Sequence, residues 1–256
     1  MALFTLCSAS GAPGVTTTAL ALTRTWAGAV SHPGALLVDA DPVGSALIPG
    51  FVEGGIPTGG GILGAAAERA STADDVLRHA VALDESATSL ILTGLSEPGQ
   101  ARPLAAVWTT LVDVAHELDR SGLDVIVDAG RLGHRWEPQA LIDAADVVVL
   151  VMRGTLPEVA AARAALAQLH ARRPAGTPTR VLVVGRTSPY SAGDVARALD
   201  VEALPGLPED AWAARALSLL SPATTRLRRS ALLRAATETA AALMGTATPA
   251  RQGDPS

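Results

Sequence analysis

The chain has 256 residues, 48% of them hydrophobic, and a formal net charge of −5. That length suits one large α/β domain, and the acidic balance argues against a surface that tracks nucleic acid throughout. A single cysteine, Cys7, excludes a disulfide framework and is expected to be a small buried apolar residue in a reducing cytoplasm. Aromatic residues make up only 3% of the chain, so its core must be built from Ala, Val and Leu. All 20 basic residues are arginines, and therefore no lysine of this chain can reach a bound phosphate. No basic leader with a cleavage region is visible, and no apolar run reaches the ~18 residues of a membrane span.

Residues 2–8 form a short apolar run that ends in a Ser/Gly/Pro cluster, and 16–27 read as an apolar helix, so the unit is strand, loop, helix. A second apolar run, 35–38, closes on Asp39-Ala40-Asp41-Pro42. Residues 49–61 are Gly-rich and loop-like, and 62–70 and 72–80 read as short helices, the second with Ser71 or Thr72 as its cap. A strand at 89–92, a loop at 94–103 and a helix at 104–121 follow. Residues 124–127 read as a buried strand ending at Asp128. Residues 146–152 give the strongest strand signal, because continuous β-branched runs mark strands covered on both faces. A helix at 157–171 carries Pro157 in its first turn. Then come a strand at 180–184, a helix at 192–199, a short strand at 203–208, a helix at 225–244, and a polar tail at 245–256 expected to be disordered.

Strands alternating with helices predict a doubly wound, mostly parallel sheet flanked by helices. Such sheets bind ligands at the carboxyl ends of their strands. The unusual residues fall at those ends: 9–16 after the first strand, 39–42 after the second and 128–131 after the fourth.

The first of these segments, Ala9-Ser10-Gly11-Ala12-Pro13-Gly14-Val15-Thr16-Thr17, has the outline of a phosphate-binding loop with Val15 in the lysine slot. Together with Asp39-x-Asp41-Pro42, Asp128 at a strand end, the run "ADVVVLV" and the late "GLPED", it resembles the ParA/MinD superfamily of P-loop ATPases over roughly residues 2–244. Those proteins carry a deviant Walker A loop with two lysines, whose places Ser10 and Val15 occupy here; Gly11, Gly14, Thr16 and Thr17 match. The resemblance implies a nucleotide site at 10–17, with Mg2+ and ATP or ADP as ligands. It implies Thr16, Asp39 and Asp128 around the metal and Asp41 orienting the attacking water. A single Asp ending a strand also serves as a turn former or helix cap.

Backbone N–H groups and a helix N-terminus supply much of a phosphate nest whatever the side chains, although Pro13 lacks an N–H. Loss of the lysine at Val15 removes a charge-assisted contact of ~1.5–3 kcal/mol, roughly 10- to 100-fold in affinity. Charge stabilisation is most of what a protein contributes to phosphoryl transfer, so hydrolysis suffers more than binding. Two alternatives stay open: a pseudo-ATPase scaffold that dimerises without nucleotide, and an active ATPase in which an arginine replaces the lysine. Arg131, Arg153 and Arg186 all lie at expected carboxyl ends. The adenine-reading asparagine of the family falls near Gly185, which leaves the loop Pro208-Glu209-Asp210 to contact a base, while Arg186 counts among the nucleotide-binding residues.

Members of this superfamily act as spatial switches, so the resemblance implies a homodimer and a partner protein at a cytoplasmic, membrane-peripheral or polar location. The short form resembles the TadZ/CpaE-type positioning proteins of Tad pilus systems. The helix carrying Arg226, Arg228, Arg229 and Arg234 reads as a packed helix with solvated arginines, with an anionic membrane surface or DNA as the alternative partner. The five histidines form no zinc spacing, His134 reads as a solvated loop residue, and there is no G-x-S-x-G elbow.

Overall fold

The computed structural model describes residues 2–11, 13–44, 47, 60–185, 189–219 and 224–247. Ala12, Arg186, the tail from 248 and nearly all of the Gly-rich stretch at 49–61 lie outside these residues. The first unit is β1 (Leu3–Ser8), α1 (Val15–Ala29) and β2 (Gly34–Asp39). Two short helices, α2 (Gly61–Ala67) and α3 (Ala73–Leu77), lead to β3 (Val81–Ala82) and β4 (Ser89–Leu92). Then follow α4 (Ala105–Arg120), β5 (Leu123–Arg131), α5 (Gln139–Asp143) and β6 (Val147–Met152). The chain continues through α6 (Leu156–Arg172), β7 (Thr179–Val183), α7 (Ala192–Leu199) and β8 (Glu202–Ala203). It closes with α8 (Ala211–Ser218), α9 (Thr225–Arg228) and α10 (Ala231–Ala247).

The strands form one eight-stranded sheet in the order β3-β4-β2-β5-β1-β6-β7-β8. All neighbours are parallel except the β3–β4 pair. From β1 the chain crosses over β5 to β2, and from β5 it crosses over β1 to β6. The direction of winding therefore reverses around β1, and its carboxyl end opens into a crevice between the diverging connections.

Alternation along each strand feeds two cores. Leu3, Cys7, Val148 and Leu150 pack on one face with Trp108 and Leu111 of α4, Leu166 of α6 and Val195 of α7. Phe4, Leu6, Val147 and Val149 pack on the other with Leu20 and Trp26 of α1, Leu217 of α8 and Leu243 of α10. Each strand is apolar on both sides because both are covered, and Ala, Val and Leu dominate both cores as the composition requires. Trp26 is fully buried against Phe4, with ring centroids 5.2 Å apart. Its indole N–H donates to Asp124 at 2.8 Å, and Asp124 also accepts the Ala2 amide at 2.9 Å, which ties the far end of β5 to α1 and β1.

Several elements depart from the sequence expectation. The helix expected at 72–80 ends at Leu77, and the chain turns into β3, whose two residues are too few to register as a strand pattern. α5 and α8, five and eight residues long, lie in stretches where no helix is expected from the sequence. The helix expected at 225–244 is two: α9 stops at Arg228, and the Ser230 hydroxyl accepts the Leu233 N–H at 3.2 Å to begin α10, which runs on to Ala247. β5 passes Asp128 and continues to Arg131. There Leu6 faces Asp128 while Ser8 faces Arg131, so β5 carries one extra residue, a β-bulge that includes Gly130 at φ +62°.

Candidate nucleotide site

The loop between β1 and α1 is shaped by its glycines. Gly11 and Gly14 have φ of +59° and +101°, a region other residues enter only with strain. Gly14 is the N-cap of α1, no side chain caps this end, and its first turn holds no acidic residue. The first helical hydrogen bond runs from the Thr18 N–H to the Gly14 carbonyl at 2.9 Å. The amides of Val15, Thr16 and Thr17 thus point out of a 15-residue helix whose positive end is open to an anion.

Side chains divide on either side of this loop. Val15 is 7% exposed and packs with Phe4, Leu6 and Ala19, so what it offers a phosphate is its backbone N–H alone. Pro13 is buried, Ser10 is half-buried, and Gly11 is exposed. The Thr16 hydroxyl hydrogen-bonds toward the carboxyl of Asp128.

Asp39 and Asp128 are direct neighbours in the β2–β5 register and are each 1% exposed. Asp128 Oδ1 accepts the Gly130 N–H at 2.9 Å. Burial, then the charge of Asp39, push the Asp128 carboxyl up to about 7, against the opposing hydrogen bonds from Thr16 and Gly130. Its Oδ2 is buried and, among the described residues, meets no well-aligned donor. Asp41 follows on the β2 side, where its Oδ1 accepts the Val43 N–H at 2.9 Å.

Two glycines that the motif pattern does not single out make this grouping fit. A Cβ on Gly94 would lie 2.8 Å from Asp39 Cγ, and one on Gly130 would lie 2.4 Å from Asp41 Cγ. Each carboxyl rests on a bare backbone where any side chain would displace it. Gly130 sits in the β5 bulge, a register detail absent from the sequence, and Gly94 lies in an otherwise ordinary loop.

This donor set suits Mg2+, a hard cation that takes one or two carboxylates and completes its shell with water and phosphate oxygens. Asp39, Asp128 and the Thr16 hydroxyl can supply the protein's share, next to the open amides of α1. Among the described residues no three His, Cys, Asp or Glu side chains enclose an ion by themselves. Phosphate and water must therefore supply the rest, and the ion would offset the repulsion between the two buried carboxylates.

A cavity of about 220 Å3 adjoins this point. Gly14, Thr17 and Thr18 form one wall, and Leu207, Pro208 and Glu209 form the other. The loop after β8 is therefore brought against the start of α1. Arg153, directly after β6, also lines the cavity, whereas Arg131 is exposed at the end of β5. The sequence-expected residues on the described chain thus converge on one end of the sheet; His134 Nδ1 accepts the Trp136 N–H at 3.2 Å, within its own loop. The arginines of α9 and α10 are exposed, as expected for a packed helix pair, and among the described residues no helix is long and apolar enough to cross a membrane.

Neither family models nor curated proteins match the sequence. Solved structures do match. The MinC:MinD cell division complex of Aquifex aeolicus aligns with 18% identity and a TM-score of 0.71 over 96% of each chain. The ParA family ATPase of Chlorobium tepidum aligns with 14% identity and a TM-score of 0.68, over 93% of this chain and 98% of that one. The MinD protein of Pyrococcus horikoshii, solved with Mg-ADP, gives 17% identity and a TM-score of 0.65 over 96% and 98%. With its P-loop outline, Asp-x-Asp turn and eight-stranded sheet, the chain has the fold of the MinD and ParA ATPases, that of the ParA/MinD superfamily its motifs resemble.

Proposed function

We propose that this chain is a ParA/MinD-like positioning or assembly protein that binds ATP or ADP with Mg2+ weakly and hydrolyses ATP slowly or not at all. The observation that carries this reading is the split within one site. The Asp39–Asp128 pair, cradled Asp41 and Thr16 stand ready for a metal ion, while the lysine slot, Val15, is folded into the core. A ligand can be held by amides and Mg2+, but little positive charge is left to stabilise transfer of its γ-phosphate. Asp41 would orient the attacking water, and Ser10 to Thr17, Arg186 and Pro208 would surround the nucleotide.

The working unit is a single domain, residues 1–244, in a cytoplasmic protein that pairs with a second copy and docks on a partner of a positioning or pilus machinery, at the membrane or cell pole. The MinC:MinD and Mg-ADP structures support partner binding and nucleotide binding for this fold. The Tad-type pilus assignment rests on the sequence resemblance. Burial of Val15 favours one second reading, a scaffold that dimerises without nucleotide.

Sedimentation of the purified chain with and without ATP–Mg separates the two. The expected result is a shift from monomer toward dimer on adding nucleotide, with turnover well below ~1 s⁻¹, the lower end of typical enzymes. A dimer indifferent to nucleotide would favour the scaffold, and turnover at or above ~1 s⁻¹ would contradict both readings.

A further inference from the structure

We propose that Arg153 is the cation that takes the phosphate of a bound nucleotide in this chain, in place of the absent P-loop lysine, and that Glu209 holds it until the ligand arrives. This inference rests on the nucleotide reading above and adds to it a residue that the family pattern does not supply.

β6 is the direct neighbour of β1, so a residue following Met152 emerges beside the loop that follows Ser8. Among the described residues, Arg153 is the only basic one lining the cavity between Gly14 and Pro208. Its backbone is fixed, because its N–H donates to Glu158 at 2.6 Å, while its side chain stays 47% exposed.

Its present partner is a weak one. Arg153 Nε lies 3.6 Å from Glu209 Oε1, and the Glu209 side chain is 58% exposed. Exposed pairs of this kind contribute ~0–1 kcal/mol. A phosphate offers the guanidinium fork a shorter, bidentate and doubly charged acceptor, so exchange of Glu209 for phosphate is downhill.

A second observation points to a ligand at this place, independent of the open end of α1. Asp128, on the other side of β1 from Arg153, is buried with an Oδ2 that meets no well-aligned donor among the described residues, so a polar partner is missing on the loop's opposite flank. Mg2+ on the carboxylate side and Arg153 on the cavity side would flank a phosphate resting on the α1 amides. The chain has no lysine to take the role, and among the described residues lining the cavity no other cation competes for it.

The test is calorimetric titration with ADP–Mg of the wild type and of Arg153→Ala, Arg153→Lys, Glu209→Gln and Arg180→Ala. Arg153→Ala should weaken binding about 10- to 100-fold, the loss expected of one charge-assisted bond. Arg153→Lys should restore only part of that loss, because an ammonium keeps the charge but not the bidentate fork. Glu209→Gln should tighten binding several-fold, and this gain should vanish in the Arg153→Ala background, because it acts by releasing the guanidinium. Arg180→Ala removes the same charge at the opposite end of the sheet, where Arg180 pairs with Glu202 at 2.6 Å, and should change affinity by less than twofold. Wild-type binding with Arg153→Ala within twofold of it overturns the assignment of Arg153 alone. Absence of binding by the wild type overturns the nucleotide reading and this inference together.

Discussion

Gly130→Ala is expected to lower the melting temperature by about 3–10 °C, corresponding to ~1–3 kcal/mol for a chain of this size. The alanine Cβ would lie 2.4, 2.6 and 2.7 Å from the Cγ, Oδ1 and Oδ2 atoms of Asp41, at a residue whose φ of +62° already disfavours side chains. Either the bulge in β5 flattens or Asp41 moves off its seat. Gly133→Ala separates the two costs, since Gly133 has φ of +85° but nothing within 4 Å of its Cβ position. It should lose only the conformational part, about 1 kcal/mol. Adding Asp41→Ala to Gly130→Ala should recover the difference between them. Equal loss in Gly130→Ala and Gly133→Ala, measured by thermal or urea unfolding, would show that Asp41 does not rest on Gly130.

Asp128→Asn is expected to act in the opposite direction on the ligand-free protein. The folded chain holds the Asp128 proton up to a pH of about 7, whereas the unfolded chain releases it near ~3.9. Because the folded state binds the proton more tightly, stability is fully present below the unfolded value. It is lost as pH rises from about 4 through about 7. The substituted amide would carry no charge in either state and would remove this loss, which burial and the neighbouring Asp39 together impose. At pH 8 the variant should melt about 2–6 °C higher than the wild type, or ~1–2 kcal/mol, with the advantage shrinking toward pH 4. With Mg2+ and nucleotide present the order should reverse, because the ion that offsets the wild-type repulsion would have lost a ligand. A ligand-free Asp128→Asn protein that melts lower than the wild type at pH 8 would contradict the buried pair.

Much of this arrangement was legible in the sequence for identifiable reasons. Short, continuous β-branched runs such as Val147–Met152 favour strands buried on both faces, and their alternation with helices favours a parallel sheet. The register that places Asp39 against Asp128 follows from β2 and β5 being neighbours, which the motif order implied but periodicity alone could not state. What escaped was local and three-dimensional. The bulge that carries β5 beyond Asp128 is one extra residue relative to β1, and nothing in "VDAGR" announces it. Gly94 and Gly130 look like loop glycines until the carboxyls resting on them are seen. Val15 was visible as a missing lysine but not as a core residue, because helix faces are set by packing rather than by a loop motif. Arg153 was one of three candidate arginines, and only the placement of β6 beside β1 put it in the cavity.

The central claim is that the metal side of a nucleotide site is intact while the lysine side is gone. Titration of the purified chain with ATP, with and without Mg2+, tests it most directly. The expected result is saturable binding with Kd between about 10 μM and 1 mM, at least tenfold weaker when Mg2+ is removed, a free-energy difference of ~1.4 kcal/mol or more. Binding that is equally tight without Mg2+, or none up to about 1 mM ATP–Mg, would contradict the account.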